Sequence, residues 1–287
     1  MTVLLWASAF VVIRWVAPYL SPGPLALIRL AFGTVMLTGM LLVRKQRLPR
    51  GRALILAIAY GVAWFGGYTV VLNWAEHHLD AGTSAMLVNV APILIALLAG
   101  VFFGEGLPRP LFVGMGIAFG GVIMISLATG AGSSDSLGLI LGLTAAGLYT
   151  VGMLVQKVVL RTVDALALTW TGCAAGLLAT LPFIGQTVHQ VAAAPISATL
   201  GAAFLGIGPT AIGFSSWAYA QSKINTGKLA AVALIIPAVA LVMSAVALRE
   251  LPPPLSMAGG LLCLVGVAIS RRRAAARPQP PVARVRD

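Results

Sequence analysis

Residues 82–121 read GTSAMLVNVAPILIALLAGVFFGEGLPRPLFVGMGIAFGG, and residues 227–266 read GKLAAVALIIPAVALVMSAVALRELPPPLSMAGGLLCLVG. Laid over one another without a gap, Gly82, Pro92, Glu105, Pro108, Gly114 and Gly121 fall on Gly227, Pro237, Glu250, Pro253, Gly259 and Gly266, each 145 residues further along. The same offset carries Gly61 to Gly206 and the aromatic Trp74 to Tyr219. Apolar runs match each other easily by chance, but a shared spacing of Pro, Glu and Gly does not arise so readily. Two copies of one unit are therefore expected, over residues 1–130 and 137–271, with a tail at 272–287.

Of the 287 residues, 59% are hydrophobic and only 26 are charged, 19 basic and 7 acidic. A soluble domain carries about a quarter charged residues. This composition excludes a soluble globular enzyme, a secreted disulfide scaffold and a disordered chain. It leaves an all-α polytopic membrane protein, because a spanning helix needs about 20 apolar residues and lipid satisfies no backbone polar group. Cys173 and Cys263 both fall inside apolar runs and read as buried packing residues. No basic residue precedes the first apolar run, so a cleavable signal peptide is not expected.

Ten transmembrane helices are expected, near 2–20, 23–43, 52–74, 82–103, 109–128, 137–157, 164–185, 197–221, 227–248 and 255–271. Five fall in each copy, and because five is odd the second copy enters the membrane upside down. That is the inverted-repeat architecture of secondary transporters, with the solute site near the midplane between the halves. A duplication whose symmetry no longer serves function is the alternative. Sixteen Lys and Arg residues lie in the loops of one side or in the tail, against Arg249 alone on the other, while Arg14 and Arg29 lie within spans. Basic loops stay in the cytoplasm, so both termini are expected there, in a multi-pass protein of the inner (plasma) membrane. The net charge of +12 then reads as attraction to the anionic leaflet, with no nucleic acid as partner. The Arg- and Pro-rich tail is expected to be a disordered basic extension.

These residues resemble a known family. Two five-helix halves, each with a mid-helix Pro followed thirteen residues later by Glu at a helix end, are similar to the drug/metabolite transporter superfamily, and within it to the EamA-domain members. The matching stretches are Trp6-Ala7-Ser8, Pro24 to Arg29, Ala91-Pro92 to Gly104-Glu105, and Ile236-Pro237 to Arg249-Glu250. Arg249 departs from the pattern, which has Gly before this Glu. The resemblance implies a secondary transporter working by alternating access. Amino-acid exporters, including the aromatic amino acid exporter type, are the most similar members, so the expected partner is an amino acid or a similar small solute. Nucleotide-sugar, sugar-phosphate and drug carriers of the same fold are the alternatives.

Several side chains are candidates for handling that solute. Tyr60, Trp64 and Tyr68 recur at i, i+4 and i+8 on one face of the third span. The offset maps Trp64 to Pro209 and Tyr68 to Gly213, so an aromatic wall would face a small-residue wall. Interface-belt aromatics are the competing reading. Asn89, Tyr149, Trp217 and Gln221 add uncharged hydrogen-bonding groups to the substrate-binding candidates. Pro92 and Pro237 are expected to kink their helices at mid-membrane, freeing the carbonyls of Val88 and Ala233 for a cavity or simply for packing.

Charges within spans are costly unless paired or hydrated. Arg14 and Arg29 are expected toward the outer side, near Glu76, His77, His78 and Asp80. They would serve either a structural or gating cluster or, for one of them, attraction of a substrate carboxylate. Glu105 and Glu250 end their spans against the helix dipole, which calls for partners such as Arg109 and Arg249. Gly116/Gly120 and Gly172/Gly176 allow close helix approach, within one chain or across a homodimer. No cofactor or metal motif is present, and no HExxH or GxSxG supports an intramembrane enzyme.

Overall fold

A computed structural model describes residues 1–102, 107–129, 133–223 and 235–270. Those residues form helices and loops with no strand among them. Glu105, Gly227, Lys228, Ala233 and the tail lie outside the described residues, and with them the expected Glu105–Arg109 pair.

The helices follow the apolar runs. They are α1 (Thr2–Val16), α2 (Pro22–Arg44), α3 (Arg52–His78), α4 (Ala81–Val88), α5 (Ala91–Phe102) and α6 (Arg109–Thr129). Then come α7 (Ser133–Val159), α8 (Ala165–Ala193), α9 (Ile196–Lys223), α10 (Ile236–Ala247) and α11 (Pro254–Ser270). Among the described residues, α2, α3, α8, α9 and the 136–159 part of α7 are long and apolar enough to cross a membrane, and the apolar stretches Thr2–Val16, Ala81–Ile95, Arg109–Ile125, Ile236–Ala247 and Pro254–Ser270 are shorter. Asp80 and Asp164 begin α4 and α8 as N-caps, accepting from the backbone N–H of Thr83 and Leu166, each at 2.8 Å. Two of the few acids are thereby used at helix starts.

The 145-residue spacing reappears in the backbone. A π-helical segment, Gly61–Tyr68, interrupts α3, and a second, Gly206–Gly213, interrupts α9 at the corresponding positions. Both ends of α5 fall on the ends of α10 by the same offset. Glycine-rich runs permit the wider turn, and Pro209 within the second lacks the N–H an α-helical ladder would need.

Packing repeats the correspondence. The π segment of α3 lies on α8 and that of α9 on α2; α1 packs on α10 and α7 on α5. Exchanging corresponding helices leaves this set of pairs unchanged. The most extensive pair is α6 with α11, which run in opposite directions: Gly114 abuts Gly266 and Gly121 abuts Gly259, with carbonyl oxygens against bare α-carbons. Between them, Cys263 Sγ donates to the Ala118 carbonyl at 3.3 Å, and these two residues are themselves 145 positions apart. Gly116 faces open space and Gly120 meets only a Leu262 methyl, so the close approach on α6 runs through Gly114 and Gly121 instead. Gly172 and Gly176 do make one, within the chain, against Tyr60, Gly61 and Phe65. Cys173 and Cys263 are free and buried.

Candidate functional site

Asn89 and Val90 form a turn that divides the expected fourth span into α4 and α5. Pro92 is therefore the second residue of a new helix, where a missing N–H costs nothing, and not a kink within a continuous one. Pro237 likewise sits in the first turn of α10. The break at 89–90 borders a partly open cavity of about 50 Å³ lined from α1, α2, α3, α4, α5, α7, α9 and α10. Tyr68, Asn89, Pro92, Tyr149 and Arg29 all line it, so the packing gathers five of the candidates at one point.

Trp64, Trp217 and Gln221 do not line this space. Trp64 is fully buried behind Tyr149, with ring centroids 4.9 Å apart, and meets Phe214 edge-on at 5.5 Å. Trp217 packs against Trp6 in a tilted pair, ring centroids 4.9 Å apart. Their indole N–H groups and Gln221 Oε1 are buried with no hydrogen-bond partner among the described residues. The lining also includes Trp6, Phe10, Leu72, Phe214 and Ile236, none singled out by spacing. Trp6 lies in the Trp6-Ala7-Ser8 stretch that carried the family resemblance, and that was its one signal. Its indole donates to the Pro209 carbonyl at 3.2 Å, tying α1 to the π segment of α9.

Among the described residues Arg29 is the one charged residue of the lining, and it is 3% exposed. Its Nε donates to Thr210 Oγ1 at 2.8 Å, and that hydroxyl donates in turn to the Leu205 carbonyl at 2.8 Å. The Leu205 carbonyl is the acceptor that an α-helical ladder would pair with the N–H missing from Pro209. The π segment thus creates the bonding position that holds Arg29. Arg29 Nη1 is buried with no hydrogen-bond partner among the described residues.

The other candidate charges lie elsewhere. Arg14 donates Nη1 to the backbone carbonyl of Glu76 at 3.0 Å and Nε to the Glu250 carboxylate at 3.2 Å. The partner of Glu250 is thus Arg14 from α1 and not its neighbour Arg249. Arg249 takes φ 57°, a left-handed conformation that glycine adopts freely, which accounts for the Gly expected there. Glu76 is fully buried, and both its carboxylate oxygens have no hydrogen-bond partner among the described residues. His77 is adjacent, its Nε2 equally unpartnered among them.

The model of the EamA-like transporter family matches twice, over residues 1–127 and 136–272. A protein of Streptantibioticus cattleyicolor named as a probable terminal-alkyne amino-acid exporter is 36% identical over 280 residues, covering 96% of this chain and 93% of the relative. A probable amino-acid metabolite efflux pump of Salmonella typhimurium is 24% identical, covering 94% and 92%. A solved crystal structure shares the fold with a TM-score of 0.63 at 18% identity, covering 94% of each chain.

Proposed function

The chain belongs to the EamA-like transporter family, and from that membership we propose that it exports amino acids or related small metabolites across the inner membrane by alternating access. The observation that carries this reading is the cavity at the α4–α5 break, walled by aromatic rings and holding a single guanidinium among the described residues. Such a site takes a small amphipathic solute. The names of the two relatives point to the same class. A sugar-phosphate carrier would need several cations for one phosphate, and among the described residues this lining offers one.

In this reading the two halves are inverted five-helix repeats, ten spans in all, with both termini cytoplasmic. The antiparallel pairing of α6 with α11 and the matched π segments support it. Tyr68, Asn89 and Tyr149 touch the solute directly. Trp64, Trp217 and Gln221 hold buried polar groups in reserve, which the solute meets as the cavity widens. Pro92 and Pro237 begin the helix segments that swing. Arg14, with Glu76, His77 and Glu250, closes the outer side.

The test is counterflow in proteoliposomes with amino acids, sugar phosphates and organic cations as solutes. Exchange of amino acids supports the reading, and a well-folded preparation that exchanges none of the panel refutes it.

A further inference from the structure

Arg29 is more buried than a guanidinium with an open donor should be. At 3% exposure it uses one hydrogen bond, Nε to Thr210, while Nη1 points to no acceptor among the described residues. The single ion pair among the described residues is Arg14 with Glu250, so no described carboxylate lies within ion-pair distance of Arg29; buried Glu76 acts on it only from further away. A buried charge left this way is strongly unfavourable unless an anion joins it. Its side chain borders the cavity, where an anion would arrive.

The surroundings favour the same sign of ligand. Pro92 and Ile236 place the first turns of α5 and α10 at the cavity, each helix 12 residues long, while Val88 and Asn89 bring the end of the shorter α4, 8 residues, to the same space. Helix N-termini carry partial positive charge and hold anionic groups in broken-helix transporters. Among the described residues, no Asp or Glu lines the cavity. The rest of the wall is Trp6, Phe10, Tyr68, Leu72, Tyr149 and Phe214, a surface for an aliphatic or aromatic body.

Resting on the exporter reading above, we propose that Arg29 is the receptor for the carboxylate of the exported solute, with Thr210 as the positioning residue that presents it. The solute is thereby an amphipathic monocarboxylate, its acid group on Arg29 and its apolar part among the rings. Thr210 fixes Nε and leaves Nη1 for an incoming oxygen. The π segment has a purpose in this scheme, because the turn around Pro209 directs the Thr210 hydroxyl to where it holds both Leu205 and Arg29.

The experiment compares acids with their carboxamides on the purified full chain. L-phenylalanine, L-leucine and L-methionine are titrated against tryptophan fluorescence beside L-phenylalaninamide, L-leucinamide and L-methioninamide. Trp6 lines the cavity and Trp64 packs against Tyr149 of its wall, so both report occupancy. The acids are expected to bind about ten- to a hundredfold more tightly than the amides, the scale of a charge-assisted hydrogen bond. Arg29→Gln should abolish the difference, and Arg29→Lys should keep part of it. The wild-type comparison needs no variant to fold. Equal binding of acids and amides by the wild-type protein overturns the assignment, as does an undiminished preference in a folded Arg29→Gln. Binding of neither class also overturns it, and counterflow on the same preparation then shows whether the exporter reading falls with it.

Discussion

Arg14 donates Nε to the Glu250 carboxylate at 3.2 Å across 236 residues of chain, while its Nη1 holds the Glu76 backbone carbonyl at 3.0 Å. One side chain of α1 thus ties the end of α3 to the loop between α10 and α11. The side chains are 30% and 36% exposed, so the ion pair itself is worth about 0.5 kcal/mol and is screened by salt. Glu250→Gln should lower the melting temperature slightly, and less so at high salt. Arg14→Gln also removes the bond to the carbonyl and should cost about 1 kcal/mol more at any salt concentration. Thermal unfolding in detergent at two ionic strengths checks this; equal losses for the two variants would contradict it.

Thr210→Val removes the hydroxyl that serves both Arg29 and the Leu205 carbonyl. Two buried polar groups lose a partner, and the expected destabilisation is about 2 kcal/mol. Thr210→Ser keeps the oxygen and should recover most of it. A melt series of the three proteins decides the matter.

Arg249 sits at φ 57°. A side chain there costs about 1 kcal/mol relative to glycine, partly offset by the greater freedom of glycine in the unfolded chain. Arg249→Gly should therefore raise stability by about 0.5 kcal/mol, and Arg249→Val, β-branched, should lower it. Opposite shifts in melting temperature are the expected result.

Gly114→Ala would drive a methyl into the Gly266 carbonyl, whereas Gly116→Ala meets nothing within 4 Å. The first should cost about 2 kcal/mol or more, and the second should be neutral or stabilising by up to about 1 kcal/mol through helix propensity. Folded yield by size-exclusion chromatography and the melting temperature separate them.

The correspondence between 82–121 and 227–266 was readable because Pro and Gly mark backbone positions that other residues cannot fill, and α5 and α10 start and stop by that rule. The composition of the cavity was readable only in part. Tyr68, Asn89 and Tyr149 stood out as polar groups in apolar spans, and they do line it. Phe10, Leu72 and Phe214 did not, since an apolar residue in an apolar span carries no mark of which neighbour it faces. The Arg14–Glu250 pair had no local signal, because α1 and the α10–α11 loop meet only through the packing of the whole bundle. Pro92 signalled a disturbance correctly, but whether a proline kinks a helix or begins a new one depends on the turn before it, here Asn89–Val90.

Most helix interfaces can slide, because side chains change rotamer while backbones move past one another. Where Gly114, Gly121, Gly259 and Gly266 bring carbonyl oxygens against bare α-carbons, no rotamer stands between α6 and α11, and even a small displacement meets backbone. This pair is the stiff axle of the bundle. Distances between spin labels on α6 and α11 should hold constant when solute is added, while distances from either helix to α1 or α5 change.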